Sequence, residues 1–223
     1  FLMSINDEVV FFIIIRFISG LSSAFVLIFG TALILPSIQA FGKKSLSTSH
    51  FMGVGFGIVI SSILVTFLGE LGFHWDDLWI GVAVLSVILA VPIFICTPNE
   101  ILQYSYSQNS NYKNNFSFSL ISISYGLYGF GYVILGTFIS AMARETSGLE
   151  ATEMYVWLLV GLAGIPMVIF WPWFGKKIGN DLALFFACAI MGLGVLMPVL
   201  LENKVGITSA SILLGSTLSL IHI

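Results

Sequence analysis

The sequence predicts an all-helical, polytopic membrane protein, and three observations carry that prediction. Hydrophobic residues make up 58% of the chain and charged ones only 9%, with a mean hydropathy of +1.04. A soluble domain has about a quarter of its residues charged. Apolar runs long enough to cross a bilayer recur along the chain, separated by short polar segments. Those runs lack the alternating polarity, over roughly 10 residues, that a barrel strand needs. Lipid requires every backbone group to be paired internally, so helices are what remains.

The first span runs from about Val9 to Pro36 and contains Arg16, with Pro36 expected to close it. No basic segment precedes it and the chain opens on Phe1, so the sequence reads as an interior stretch of something longer. The second span, about Phe51 to Leu68, carries Gly53 and Gly57 four residues apart, a spacing that lets helices approach closely. The third runs from about Leu78 to Ile95.

A long polar stretch, Thr97 to Ser117, follows and reads as the joint between two groups of spans. The expected organisation is therefore 1–96, a linker at 97–117, and 118–223. The fourth span runs from about Phe118 to Ala143. The fifth, about Met154 to Phe174, carries Gly161 and Gly164 and ends in WPWF, whose tryptophans are expected at the membrane interface. The sixth covers about Leu182 to Leu201 and the seventh Gly206 to Ile223. Seven spans are expected.

Alternating the connecting segments places Lys43, Lys44, Lys113, Lys176 and Lys177 on one side, B, and Arg144 and Lys204 on the other, A. Basic residues accumulate on the cytoplasmic side, so side B, with the polar joint, is expected to be cytoplasmic.

Two features could carry function. An arginine in hydrocarbon costs about 2.5–3.5 kcal/mol at the centre of a span. Arg16 therefore either snorkels to the outer headgroups, faces an aqueous cavity where it binds an anionic group or couples to protons, or makes a structural hydrogen bond. Tyr125, Tyr128 and Tyr132 fall at i, i+3 and i+7 of the fourth span, with Thr137 further along. They either pack with their hydroxyls satisfied by neighbours or line a solute path. No metal site is expected, since His50, His74 and His222 have no ligand spacing, and Cys96 and Cys188 read as small apolar residues. No phosphate-binding loop, nucleic-acid feature or catalytic set is present, so neither a cofactor nor an enzyme activity is expected.

RFISG, Arg16 to Gly20, resembles the start of the fourth helix of a major facilitator superfamily transporter. Tyr125 to Arg144, YGLYGFGYVILGTFISAMAR, is similar to the seventh helix of the bacterial YbfB/YjiJ-type branch. The resemblance implies that the seven spans are helices four to ten of twelve, and that the polar joint links two six-helix halves. It implies that Arg16, Tyr125, Tyr128, Tyr132, Thr137, Ser209, Ser216 and Thr217 lie on cavity-lining helices. It also implies cross-half packing at Gly53, Gly57, Gly161 and Gly164. The WPWFGKKIGN stretch stands where the family has a gating loop, GxxxDRxGR. Lys176 occupies the acidic place, Lys177 the first arginine, Gly179 the glycine and Asn180 the last basic place. The implied activity is secondary transport of a small solute by alternating access across a bacterial inner membrane, with proton coupling. The partners would be the bilayer, the solute and protons, and the complete form a monomer. The rival reading is a non-transport heptahelical scaffold or receptor-like protein.

Overall fold

The computed structural model describes residues 1–5, 8–40, 48–96, 116–146, 148 and 152–218. Among these there are seven α-helices and no strand. They are α1 (Val9–Ala40), α2 (Met52–Glu70), α3 (Trp75–Cys96), α4 (Phe116–Glu145), α5 (Glu153–Ile178), α6 (Asn180–Leu200) and α7 (Lys204–Leu218). Short 3₁₀ turns occupy Leu2–Ser4 and Ser49–Phe51. Six helices, α1 to α6, are long and apolar enough to cross a membrane. The described part of α7 has 15 residues, and 219–223, the rest of the expected seventh span, lie outside the described residues. Most of the polar joint, 97–115, lies outside them as well.

The end of α1 differs from the sequence expectation, in which Pro36 closes the span: the helix continues past it to Ala40. α5 contains both Pro166 and Pro172, within the expected fifth span. Each proline removes one backbone donor. In a membrane helix the freed carbonyl is satisfied locally, so the helix persists.

α2 stops at Gly72, whose φ of 81° suits glycine. There the Phe73 N–H donates to Leu68 O at 3.2 Å and the Gly72 N–H to Gly69 O at 3.0 Å, a Schellman closure. Asp76 and Asp77 then open α3, where negative charge meets the positive end of the helix. The start of α7 is capped by Asn203, whose Oδ1 accepts from the Gly206 N–H at 3.1 Å.

The chain forms two compact units. The first comprises residues 1–50 and 63–105, the second 51–62 and 106–223, so one division passes through α2 and another falls within the polar joint. In the first unit, the Phe12 and Trp75 rings meet at 6.1 Å and Leu68 closes on Gly81. In the second, α7 inserts against α4, α5 and α6. Leu135 and Ile139 of α4, Val156 and Val160 of α5 and Ile207 and Leu214 of α7 form one buried cluster. Trp171, Ala183 and Ala187 form another between α5 and α6.

Candidate functional site

The tyrosine face of α4 is built by helical spacing, and its members have different fates. Tyr125 is exposed. Tyr128 is half-buried and donates its hydroxyl to the Thr217 carbonyl of α7 at 2.8 Å. Tyr132 packs against the cluster shared by α4, α5 and α7. Thr137 is not part of this face. It lies about 140° around the helix from Tyr132 at 100° per residue, and its hydroxyl donates to Val133 O at 2.7 Å.

The α7 candidates differ in burial. Ser209 is half-buried, with its hydroxyl on Gly206 O. Ser216 and Thr217 are buried, at 8% and 0% exposure. Their hydroxyls turn back onto the carbonyls of Leu213 and Leu214. A buried hydroxyl in an apolar bundle must find an acceptor, and its own helix supplies the nearest. What Ser216 and Thr217 present to neighbouring helices is their backbone carbonyls.

Trp171 takes the first of those carbonyls. Its indole N–H donates to Ser216 O at 2.7 Å, and the side chain is 1% exposed. Of the WPWF tryptophans, Trp173 is half exposed on the helix surface and Trp171 is enclosed by the bundle. Residues two apart on a helix point in nearly opposite directions, so one indole faces inward when the other faces out.

The expected gating loop is barely a loop. Lys176 and Lys177 belong to the last turn of α5, and Asn180 already opens α6. Gly179 alone joins them, at φ 93° and ψ 147°, a conformation nearly confined to glycine. The Lys177 ammonium lies 4.1 Å from the centre of the Trp173 ring, a cation–π contact one turn apart. The Asn180 side chain packs over Gly175, where a Cβ would come within 2.9 Å of its Oδ1.

Of the glycines chosen for helix packing, Gly161 lies against Gly55 and Val59 of α2, and Gly164 against Gly215 and Leu218 of α7. Gly53 and Gly57 face open space; Gly55, which the four-residue spacing passed over, makes the approach. Spacing identifies a face but not which of two neighbouring faces meets a partner.

Arg16 belongs to the first unit, is exposed, and carries its guanidinium 5.2 Å from the centre of the Trp79 ring of α3. It takes part in neither ion pair found among the described residues, His74–Asp76 and Arg144–Glu153. The second of these fastens the end of α4 to the start of α5. Arg144 Nε donates to Glu153 Oε2 at 2.9 Å and Nη2 to Oε1. The sequence places Arg144 on side A without a partner, although opposite charges bracketing a short connection were the available signal.

A cleft of about 350 Å³ opens where α4 and α6 end and α7 begins, lined by Met142, Glu145, Pro198, Glu202 and Asn203 among others. None of the residues chosen from sequence borders it. Among the described residues, no group of three or more His, Cys, Asp or Glu could hold a metal.

The sequence profile of a family described as "Uncharacterised MFS-type transporter YbfB" matches residues 1–222. The chain belongs to this family of major facilitator superfamily transporters. No curated protein and no solved structure matches it. The YbfB-type match takes in both stretches that carry the resemblance, Arg16–Gly20 and Tyr125–Arg144, together with everything between them. A YbfB-type transporter is a multi-pass membrane protein, and the six long apolar helices have the length and composition this requires.

Proposed function

We propose that the protein acts in secondary transport, moving a small solute by alternating access with coupling to protons, across a bacterial inner membrane. The family match over residues 1–222 carries this reading. Side B, with Lys176, Lys177 and the polar joint, faces the cytoplasm, and the joint links two halves that rock about the solute site. No catalytic role is assigned to any residue.

Within this reading, Arg16 holds an anionic group of the solute. What supports the assignment is a permanently charged side chain within an apolar span, outside both ion pairs of the described residues. Trp79 offsets part of the cost of keeping that charge there. Tyr125, exposed on α4, and Ser209, half-buried on α7, contribute polar contacts to the solute path.

The test is uptake by proteoliposomes over a panel of small solutes, with an internal pH dye reporting solute-driven proton entry. Uptake that ignores an imposed proton gradient removes the coupling claim; absence of uptake across the panel removes transport from this chain. Arg16→Ala is expected to reduce uptake at least tenfold while membrane abundance changes less than twofold. Parallel losses of both would make Arg16 structural.

A further inference from the structure

The geometry points to Tyr128 and Trp171 as a pair of positioning residues that latch the α7 turn containing Ser216 and Thr217. Two helices supply donors to two successive carbonyls of a third. Tyr128 of α4 donates to Thr217 O at 2.8 Å, and Trp171 of α5 to Ser216 O at 2.7 Å. Successive carbonyls on a helix are about 100° apart around its axis. The phenol and the indole therefore approach from different directions, and the turn cannot move far from α4 or from α5 without breaking a bond.

Packing closes the remaining freedom at the same level. Gly215 lies against the backbone of Val160 so closely that a Cβ there would overlap the Val160 carbonyl oxygen. Gly164 meets Gly215 O and Leu218. Steric contact thus blocks movement toward α5, and the indole resists movement away from it. The donors also have a strong reason to stay engaged. Trp171 is almost fully buried, and a buried N–H without an acceptor costs more than an ordinary hydrogen bond contributes. Slight displacement of the turn strands that donor, so the latch favours one arrangement sharply over its neighbours.

The consequence for the solute path rests on the transport reading above: α7 presents Ser209 in a fixed register while the latch is closed. The latch itself is independent of that reading and is tested without a solute. Backbone hydrogen–deuterium exchange would be followed in nanodisc-held protein for wild type, Tyr128→Phe, Trp171→Phe and the double variant, comparing peptides from α7 and α6. Each single change is expected to speed α7 exchange about fivefold, the scale of one buried hydrogen bond. The double variant should exceed either single one, and α6 should stay within twofold of wild type throughout. Unchanged α7 exchange in the double variant overturns the latch. Equal acceleration of α6 and α7 also overturns it, by reducing both residues to general packing. If Trp171→Phe fails to fold, 3-benzothienylalanine at position 171 keeps the ring shape and removes only the N–H. Its α7 exchange must rise for the latch to stand. Wild-type uptake in proteoliposomes judges the transport reading separately.

Discussion

The two compact units are both built from apolar helices and pack very differently. The membrane-length windows of α1 and α3 in the first unit have none of their residues buried within the protein, whereas a third of the α5 window in the second unit is buried. Hydrophobicity does not explain the contrast, because lipid tails solvate leucine as well as another helix does. Close approach and polar fastening explain it. Gly20 and Gly30 of α1 have nothing near them. Gly161, Gly164 and Gly215 each lie against a neighbouring backbone, and Tyr128 and Trp171 bond across helices. In a membrane, helices hold together where missing side chains let backbones meet and where polar groups find partners. Arg16 over Trp79 and Phe12 against Trp75 are side-chain contacts without that backbone closeness.

Substitutions graded by contact should break this comparison or sharpen it. Gly215→Val is expected to have the largest effect, because the new side chain would overlap the Val160 backbone. Overpacking of this kind costs about 3 kcal/mol. Reversible unfolding in mixed micelles should register the loss, and a wild-type midpoint would show that α5 and α7 are free to separate.

Gly179→Ala comes next, at about 1–2 kcal/mol, since alanine would be forced into a strained conformation at the α5–α6 link. If alanine unfolds at the wild-type midpoint, the link relaxes without strain.

Arg144→Gln removes the clasp between α4 and α5. The Arg144 side chain is 66% exposed, so the pair is solvent-screened and contributes roughly 0.2–1 kcal/mol. The difference between wild type and variant should shrink as salt is raised. A larger, salt-independent loss would mean that the clasp is shielded from water.

Gly20→Ala is expected to change least. The site is open, and alanine is the better helix former, so stability should hold or rise by at most about 1 kcal/mol. Destabilisation by that substitution would erase the distinction between the two units and reveal a helix partner for α1.

The polytopic helical class was readable from the sequence because lipid imposes it: apolar length and internal backbone pairing leave little else. The family, too, was readable from short motifs around Arg16 and Tyr125. The tyrosine spacing placed Tyr125, Tyr128 and Tyr132 along α4, yet it could not say that Tyr128 would be spent on Thr217 O. That depends on an α7 residue 89 positions away. Likewise, GKKIGN was readable as standing in the place of the family's loop, but its reduction to Gly179 required the backbone. Choosing Gly53 and Gly57 over Gly55 shows the same limit. A glycine column can be counted along one helix, while the face that meets a partner is fixed by the other helix. Sequence alone determined which segments are long and apolar enough to cross a membrane, since transfer from water to lipid is a property of each segment. Tertiary structure decided which glycines touch, which indole is buried and which carbonyls accept, since those depend on pairs of segments meeting.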